Sequence, residues 1–379
     1  MEKLRRVTIE GFRSIRKVDL DLKDLTVLVG ANGSGKSNFI SFFEMLNSII
    51  SGSLQPYIAR KGGGSSILHY GPKQTPILHA ELEFEGEESV SSYRFDLAFG
   101  APDTLFFASE IVRFWNPGTP GSYNRDYGSG HLETKLLSRS EKGSKVQGET
   151  KIPSTFLKRL SELQIYHFHD TSENAAMRTS QDLTRNRNLM SSGGNLAAFL
   201  YMLRETKPQH YDRILSTVRL AVPYLRDFVL EPDRFNSGRV QLRWRDRNPD
   251  HEFGAHQLSD GSLRAIALIT VLLQPEEMMP GLIMIDEPEL GLHPSAVGLI
   301  GSLIKAASLR RQVIVATQSP RLISEFEPED IVVVEREEDA KGDGQSRFHR
   351  LSREELGDWI SEYSLGTLYE MQVTGGGPQ

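Results

Sequence analysis

A chain of 379 residues, 38% hydrophobic and 25% charged, has ordinary globular composition and the length for one large core or two modest ones, which excludes disorder as its default. The formal charge of -6, from 44 Lys and Arg against 50 Asp and Glu, excludes whole-molecule attraction to nucleic acid, so any such contact needs a local patch. The absence of cysteine excludes disulfides, thiolate metal sites and cysteine nucleophiles; with no apolar signal core at Met1 to Arg6 and no bilayer-length apolar run, a cytoplasmic protein without a membrane partner is expected.

In chain order, Val7, Ile9 and Phe12 recur as in a strand, and residues 18–22 alternate again after a short turn, predicting paired antiparallel strands. Residues 25–29 are almost continuously apolar, as in a strand buried on both faces, and end at Gly30. A helix is expected from Lys36, with Phe39, Phe43 and Leu46 on one face. Residues 51–76, rich in Gly, Ser and Pro, read as loop. Residues 78–84 and 93–97 alternate cleanly and predict a meander with one wet face, while 116–130 and 138–151 read as mobile insertions. Helical spacing appears at 156–163, 195–204 and 211–218 without sustained heptads, which excludes a long coiled-coil arm. The last third alternates helices with buried strands at 282–285, 312–316 and 331–334, a parallel-sheet pattern, and no internal repeat is present.

Two stretches carry chemistry. Gly30-Ala31-Asn32-Gly33-Ser34-Gly35-Lys36-Ser37 fits G-x-x-x-x-G-K-[ST] between a buried strand and an amphipathic helix. Glycines let a backbone wrap closely around a polyphosphate, and N–H groups at a helix start supply positive potential to its oxygens. Gly30, Asn32, Gly33, Ser34, Gly35, Lys36, Ser37 and Asn38 are therefore expected to bind nucleotide, Lys36 reaching the β and γ phosphates and Ser37 ligating Mg²⁺. The bland alternative, a Gly-rich turn that binds nothing, is disfavoured by the flanking strand and helix. Further on, Leu282-Ile283-Met284-Ile285-Asp286-Glu287 sets two carboxylates at the C-terminal end of a buried strand, where open α/β sheets bind ligands. Asp286 is expected to hold Mg²⁺ through its water shell and Glu287 to polarise the attacking water, making ATP and Mg²⁺ the expected cofactors.

Leu258-Ser259-Asp260-Gly261-Ser262-Leu263-Arg264 resembles the signature motif of ABC ATPases. Glu289-Leu290-Gly291-Leu292-His293-Pro294 looks like that family's dimer-contacting loop, and Ala316-Thr317-Gln318-Ser319-Pro320 resembles its switch strand. Together with the two stretches above, they are similar to RecF, SMC and OLD-type ATPases rather than to kinases or GTPases. A closer likeness is to RecF-like bacterial AAA-family ATPases without a long coiled coil; it runs through residues 166–172, 194–201 and 363–366 and so spans nearly the whole chain.

The resemblance implies an α/β P-loop ABC-type ATPase head, with a mixed sheet core, an antiparallel β subdomain and a helical subdomain. The implied divisions are 1–110, with the phosphate loop and meander; 111–152, a flexible insertion; 153–257, a helical lobe with a basic strand; and 258–379, with the signature, carboxylate strand and switch. It further implies a homodimer sandwiching two ATP molecules, in which Ser259, Asp260 and Gly261 approach a γ-phosphate held by the second subunit. Glu287, Lys36 and Gln318 are the implied catalytic set. Gln318 stands where the family usually has histidine and cannot take up a proton at neutral pH, which implies slow turnover. Arg13 matches a basic position that related heads turn toward nucleotide, with a solvated strand residue as the alternative, and Gln74 is the candidate for the Mg-ligating glutamine.

Other constellations are weaker. His167, His169 and Asp170 could begin a metal site, but no third ligand is fixed by spacing, and a hydrogen-bonded structural corner is favoured. Residues 239–247 put arginines on one face of a strand and Val240, Leu242 and Trp244 on the other; Lys3, Arg5, Arg6, Arg16 and Lys17 form a second basic patch. Either could meet DNA, and neither includes an aromatic platform for stacking bases. No length remains for the nuclease domain of OLD-type enzymes, so no nuclease activity is expected. The resemblance implies a switch in DNA repair or anti-phage defence that controls a separately encoded effector. The alternative is an ATP-gated scaffold that sequesters a toxin or effector without binding DNA, and a transporter motor is disfavoured.

Overall fold

Val7, Ile9 and Phe12 are fully buried while Thr8 and Glu10 between them stay partly exposed, and this alternation builds the strand Lys3–Phe12. It pairs antiparallel with Ile15–Asp21 on one side and Ile77–Glu85 on the other. The computed structural model describes residues 2–87, 89–115, 122–140, 151–248, 250–338 and 344–376, and the chain divides into two compact units.

The first unit comprises Met1–Leu163, Pro328–Trp359 and Met371–Gln379. Its antiparallel sheet runs in the order Ile15–Asp21, Lys3–Phe12, Ile77–Glu85, Val90–Gly100, Thr104–Trp115, Ser122–Asp126. The helix Lys36–Ile50 lays Phe42 on this sheet, 5.8 Å from Phe12 edge to face and 6.4 Å from Phe95 in a stack. The strand Leu25–Val29, buried at all five positions, pairs parallel with Ile331–Glu338, which pairs antiparallel with Gly344–Arg350, so this sheet is mixed.

Two stretches of this unit differ from expectation. Within residues 51–76 the chain forms the short helices Leu54–Arg60 and Gly64–Ile67. The Glu133 carboxylate accepts the N–H groups of Leu54 and Gln55 at 2.9 Å each, so the helix is capped from 78 or 79 residues away and no local pattern announces it. The second stretch is the expected flexible insertion. There Ser122–Asp126 completes the sheet edge and Lys135–Ser140 is helical. Fully buried Glu110 holds that segment, accepting from Tyr93 Oη at 2.8 Å, from the Lys135 N–H at 3.0 Å and from Thr134, with His131 Nε2 at 2.9 Å. Residues 116–121 and 141–150 of the expected insertions lie outside the described residues.

The second unit comprises Gln164–Glu327 and Ile360–Glu370. Its strands Leu282–Asp286 and Gln312–Thr317 pair in parallel, as their apolar runs predict. The helix Asp260–Leu273, buried at ten positions, packs against the helices Pro208–Ala221 and Pro294–Ser308. Among the described residues no helix exceeds 15 residues, which agrees with the missing heptads.

The basic strand expected over 239–247 is instead two short ones. Arg239–Val240 pairs with Gln181–Asp182, whereas Arg243–Arg245 lies in a separate sheet between Asp227–Val229 and Phe253–Gly254. Val240, Leu242 and Trp244 are buried as the alternation requires, but alternation fixes which side chains face the core, not which strand they pair with.

Candidate nucleotide site

The phosphate loop belongs to the first unit. Gly35, at φ 118, ends the loop in a left-handed conformation that glycine reaches without steric cost, and no side chain caps the helix that begins at Lys36. The first N–H groups of a helix lack intrahelical partners, so this start offers donors and positive potential to an anion. Lys36 is 4% exposed and its Nζ donates to the carbonyls of Gly30 at 2.5 Å and Ala31 at 3.0 Å, folding the ammonium onto the loop. Ser37, Asn32 and Gly33 face solvent.

Neighbours stiffen the loop. Ser346 Oγ donates to the Ser34 carbonyl at 2.6 Å and shares a hydrogen bond with Ser14 Oγ at 2.7 Å, while Asn38 Nδ2 donates to Ser14 Oγ at 2.7 Å. Arg13, at φ 48, donates from Nη1 to Ser41 Oγ at 2.9 Å, which joins it to the phosphate-loop helix. Gln74 is exposed in a turn after His69, whose N–H donates to Gly11 O at 3.0 Å; that turn therefore follows a segment docked next to Arg13. Ser14 and Ser346 escaped the sequence reading. Ser14 lies in the window that contains Arg13, but Ser346 carries no motif and acts across 312 residues.

In the second unit, Asp286 ends the carboxylate strand and Glu287 follows with φ 45, its N–H bonded to Ala316 O at 2.8 Å. A left-handed non-glycine residue at a strand end is a local strain that functional sites commonly hold. Gln318 Nε2 reaches Glu287 Oε1 at 3.4 Å, so the paired carboxylate and switch strands bring these two side chains together just beyond their ends. Beside them Glu289 Oε1 accepts from Thr317 Oγ1 at 2.6 Å and from the Gln318 N–H at 3.3 Å. Burial pushes the Glu289 carboxyl above the ordinary carboxylate range, and these hydrogen bonds offset only part of that.

The signature stretch begins the helix Asp260–Leu273. Ser259 caps it, its Oγ accepting the Ser262 N–H at 3.2 Å. Ser259 and Asp260 are exposed, while Arg178, 7% exposed, donates to Asp260 Oδ1 at 2.8 Å and to the carbonyls of Thr171, Ala255 and Leu258. Arg264 donates to Phe168 O at 3.0 Å, His169 O at 2.9 Å and Leu290 O at 3.0 Å, fastening the 289–294 loop to this helix. Arg178 lies 82 residues from Asp260 and had no sequence signal; Arg264 was inside the quoted motif.

Residues 25–324, well over half of the chain, match the family described as "AAA domain, putative AbiEii toxin, Type IV TA system". The chain belongs to this AAA family. The AAA-family chain is an ATP hydrolase, and its fold resembles solved SMC heads. An SMC head bound to the C-winged helix domain of ScpA is 15% identical at TM-score 0.58, over 93% of this chain and 99% of that one. A Smc head with an extended coiled coil, bound to the C-terminal domain of ScpA derived from Pyrococcus furiosus, is 16% identical at TM-score 0.54, covering 96% and 99%. A Smc head with a coiled coil and joint from Pyrococcus yayanosii is 14% identical at TM-score 0.51, again covering 96% and 99%. At these identities the likeness is one of fold, an α/β P-loop ABC-type head. No curated protein matches the AAA-family chain.

Several side chains of the weaker constellations of the AAA-family chain have local partners. Among the described residues no group of three His, Asp or Glu side chains could hold a metal; Asp170 accepts from the N–H and Oγ of Ser172, closing a turn. Lys3, Arg5, Arg6 and Lys17 pair with Asp24, Glu85, Asp19 and Glu10. Arg243 and Arg245 share Glu252 at 2.9 and 2.6 Å, and Arg239 donates to Ser180. No helix of the described residues is long and apolar enough to cross a membrane.

Proposed function

We propose that two copies of this AAA-family ATPase close around two molecules of Mg-ATP and open after hydrolysis, and that the motion gates a separately encoded protein. In this reading Gly30, Asn32, Gly33, Ser34, Gly35, Lys36, Ser37 and Asn38 bind the triphosphate together with Arg13, which is tied to the second turn of the same helix at Ser41. Ser37 and Gln74 of the first unit and Asp286 of the second are each candidates to give Mg²⁺ the oxygen ligand it prefers. Glu287 orients the attacking water as general base, and the Gln318 amide holds that carboxylate in place. Ser259, Asp260 and Gly261 serve the nucleotide of the second copy.

One observation carries the pairing. The signature helix is buried over most of its length, yet it presents Ser259 and Asp260 to solvent at its N-terminus, with the Asp260 charge met by Arg178. A helix start turned outward suits an anion supplied from outside the chain. In light scattering, Glu287→Gln is expected to form a stable dimer with ATP and to remain single without it. A variant that hydrolyses ATP at the normal rate, or stays single in saturating ATP, would reject this reading.

DNA repair and anti-phage defence require DNA or a phage product as trigger, and DNA-stimulated ATPase activity is their signature. The ATP-gated scaffold that holds a toxin or effector without DNA is the reading we favour. Lys3, Arg5, Arg6 and Lys17 of one patch and Arg243 and Arg245 of the other have acidic partners, the matched family's description names a toxin system, and two similar SMC heads are bound to ScpA domains. Co-purification with a protein partner, insensitive to nuclease treatment, supports the scaffold; ATPase stimulation by DNA supports the other.

A further inference from the structure

We infer that Glu289 is a positioning residue for hydrolysis, holding Thr317 and Gln318 so that the Gln318 amide stays on Glu287. The inference rests on Glu287 being the hydrolytic carboxylate, as proposed above.

The contact between Gln318 Nε2 and Glu287 Oε1, at 3.4 Å, is long and weak by itself. A glutamine side chain has several rotatable bonds, so its amide stays in place only where its backbone is held. Glu289 supplies that hold. One oxygen, Oε1, takes both the Thr317 hydroxyl at 2.6 Å and the Gln318 N–H at 3.3 Å. Thr317 Oγ1 also accepts the Ser319 N–H at 3.0 Å, so the last residue of the buried switch strand and the two that follow it hang, directly or through Thr317, on a single carboxylate.

Glu289 is itself fixed. Its carbonyl accepts the Leu292 N–H at 3.0 Å, and the Leu290 N–H donates to Glu287 O at 3.1 Å, so Glu287 and Glu289 share one tight turn. The second oxygen, Oε2, is buried and has no hydrogen-bond partner among the described residues. Burying a carboxyl that is only half satisfied costs stability, and an apolar side chain would avoid that cost. Retaining the group at this site fits a role in turnover better than one in packing.

The test compares Glu289→Ala, Glu289→Gln, Thr317→Val and Thr317→Ser in steady-state ATPase assays of the full chain, with melting temperatures alongside. Glu289→Ala is expected to lower kcat about tenfold or more with KM for ATP changed less than about twofold, because the inferred role of Glu289 is to hold Thr317 and Gln318 rather than to bind ATP. Glu289→Gln keeps an oxygen acceptor and is expected to retain most of kcat. Thr317→Val, close in shape but without the hydroxyl, should match Glu289→Ala; Thr317→Ser should not. The Glu289→Ala and Thr317→Val double variant should fall no further than the worse single variant.

Normal kcat in Glu289→Ala, or multiplying losses in the double variant, would overturn the inference, as would Glu289→Gln as impaired as Glu289→Ala. If Glu289→Ala fails to fold, the Thr317→Val and Thr317→Ser pair decides: equal kcat in the two rejects the inference. Glu287→Gln runs in the same series. Full activity there rejects the assignment of Glu287, whereas loss there with normal Glu289→Ala rejects only the role of Glu289.

Discussion

A Cβ on Gly261 would stand 2.0 Å from the carbonyl oxygen of Gly291, so the signature helix and the 289–294 loop touch backbone to backbone. The loop has little room to retreat, because Gly291 holds φ 74 and the Arg264 guanidinium lies against it while bonding Leu290 O. Both motifs of the resemblance therefore form one rigid contact within the second unit.

Replacing glycine by alanine inside a helix ordinarily stabilises it by about 0.5–1 kcal/mol. Gly261→Ala is expected to do the opposite and cost about 1–3 kcal/mol, the usual range for forcing atoms into a filled space. A urea unfolding midpoint at or above that of the wild type would show that the two backbones can part freely.

Lys36→Ala removes the ammonium that lies on the Gly30 and Ala31 carbonyls, next to an uncapped helix start. A hydrogen bond to a charged group contributes about 1.5–3 kcal/mol, so ATP affinity should fall by about tenfold to a hundredfold. Equilibrium binding of a fluorescent ATP analogue measures this, and unchanged affinity would remove the phosphate loop from the site.

Arg178→Met keeps the volume of a buried side chain but leaves the carbonyls of Thr171, Ala255 and Leu258 without their guanidinium donor and Asp260 without its cation. The expected loss is about 3 kcal/mol, as for breaking a buried charged network. It should appear as a lower unfolding midpoint together with a loss of ATP-dependent pairing, and a variant as stable and as competent to pair as the wild type would leave Arg178 no organising role.

The raised Glu289 carboxyl gives a pH signature with a definite sign. Its folded value lies above the unfolded reference of 4.5, so the unfolded chain releases the proton first. The stability contributed by the protonated form is complete below about pH 4.5 and is lost as pH rises through the folded value. Glu289→Gln cannot ionise, so its unfolding free energy relative to wild type should rise with pH across that window. Parallel curves for the two proteins would show that Glu289 titrates as it does in the unfolded chain.

Much of the candidate site is legible in the sequence because its chemistry is local. Gly30 to Ser37 announce a phosphate loop by spacing alone, since close backbone approach and a helix start need those residue types in a row. Asp286 and Glu287 were legible because an apolar run ends at them, and Ser259 because capping is read within three residues. Arg178, Ser346 and the carboxylate of Glu289 were not, since each acts on groups distant in the chain: Ser346 on Ser34 across 312 residues, and Glu289 on Thr317 across 28.

By itself the sequence determined which strand residues face the core, where the apolar strands at 25–29 and 282–286 end, and which side chains are candidates for nucleotide chemistry, because periodicity and spacing act within a few residues. Only the tertiary structure decided that Glu133 caps a helix in a Gly- and Ser-rich stretch and that residues 239–245 divide between two sheets. It also set Lys3 beside Asp24 and Arg243 beside Glu252, pairs that lie 21 and 9 residues apart in the chain. Pairing of strands, capping from a distance and the meeting of opposite charges depend on which segments come together, and no short window of sequence contains both partners.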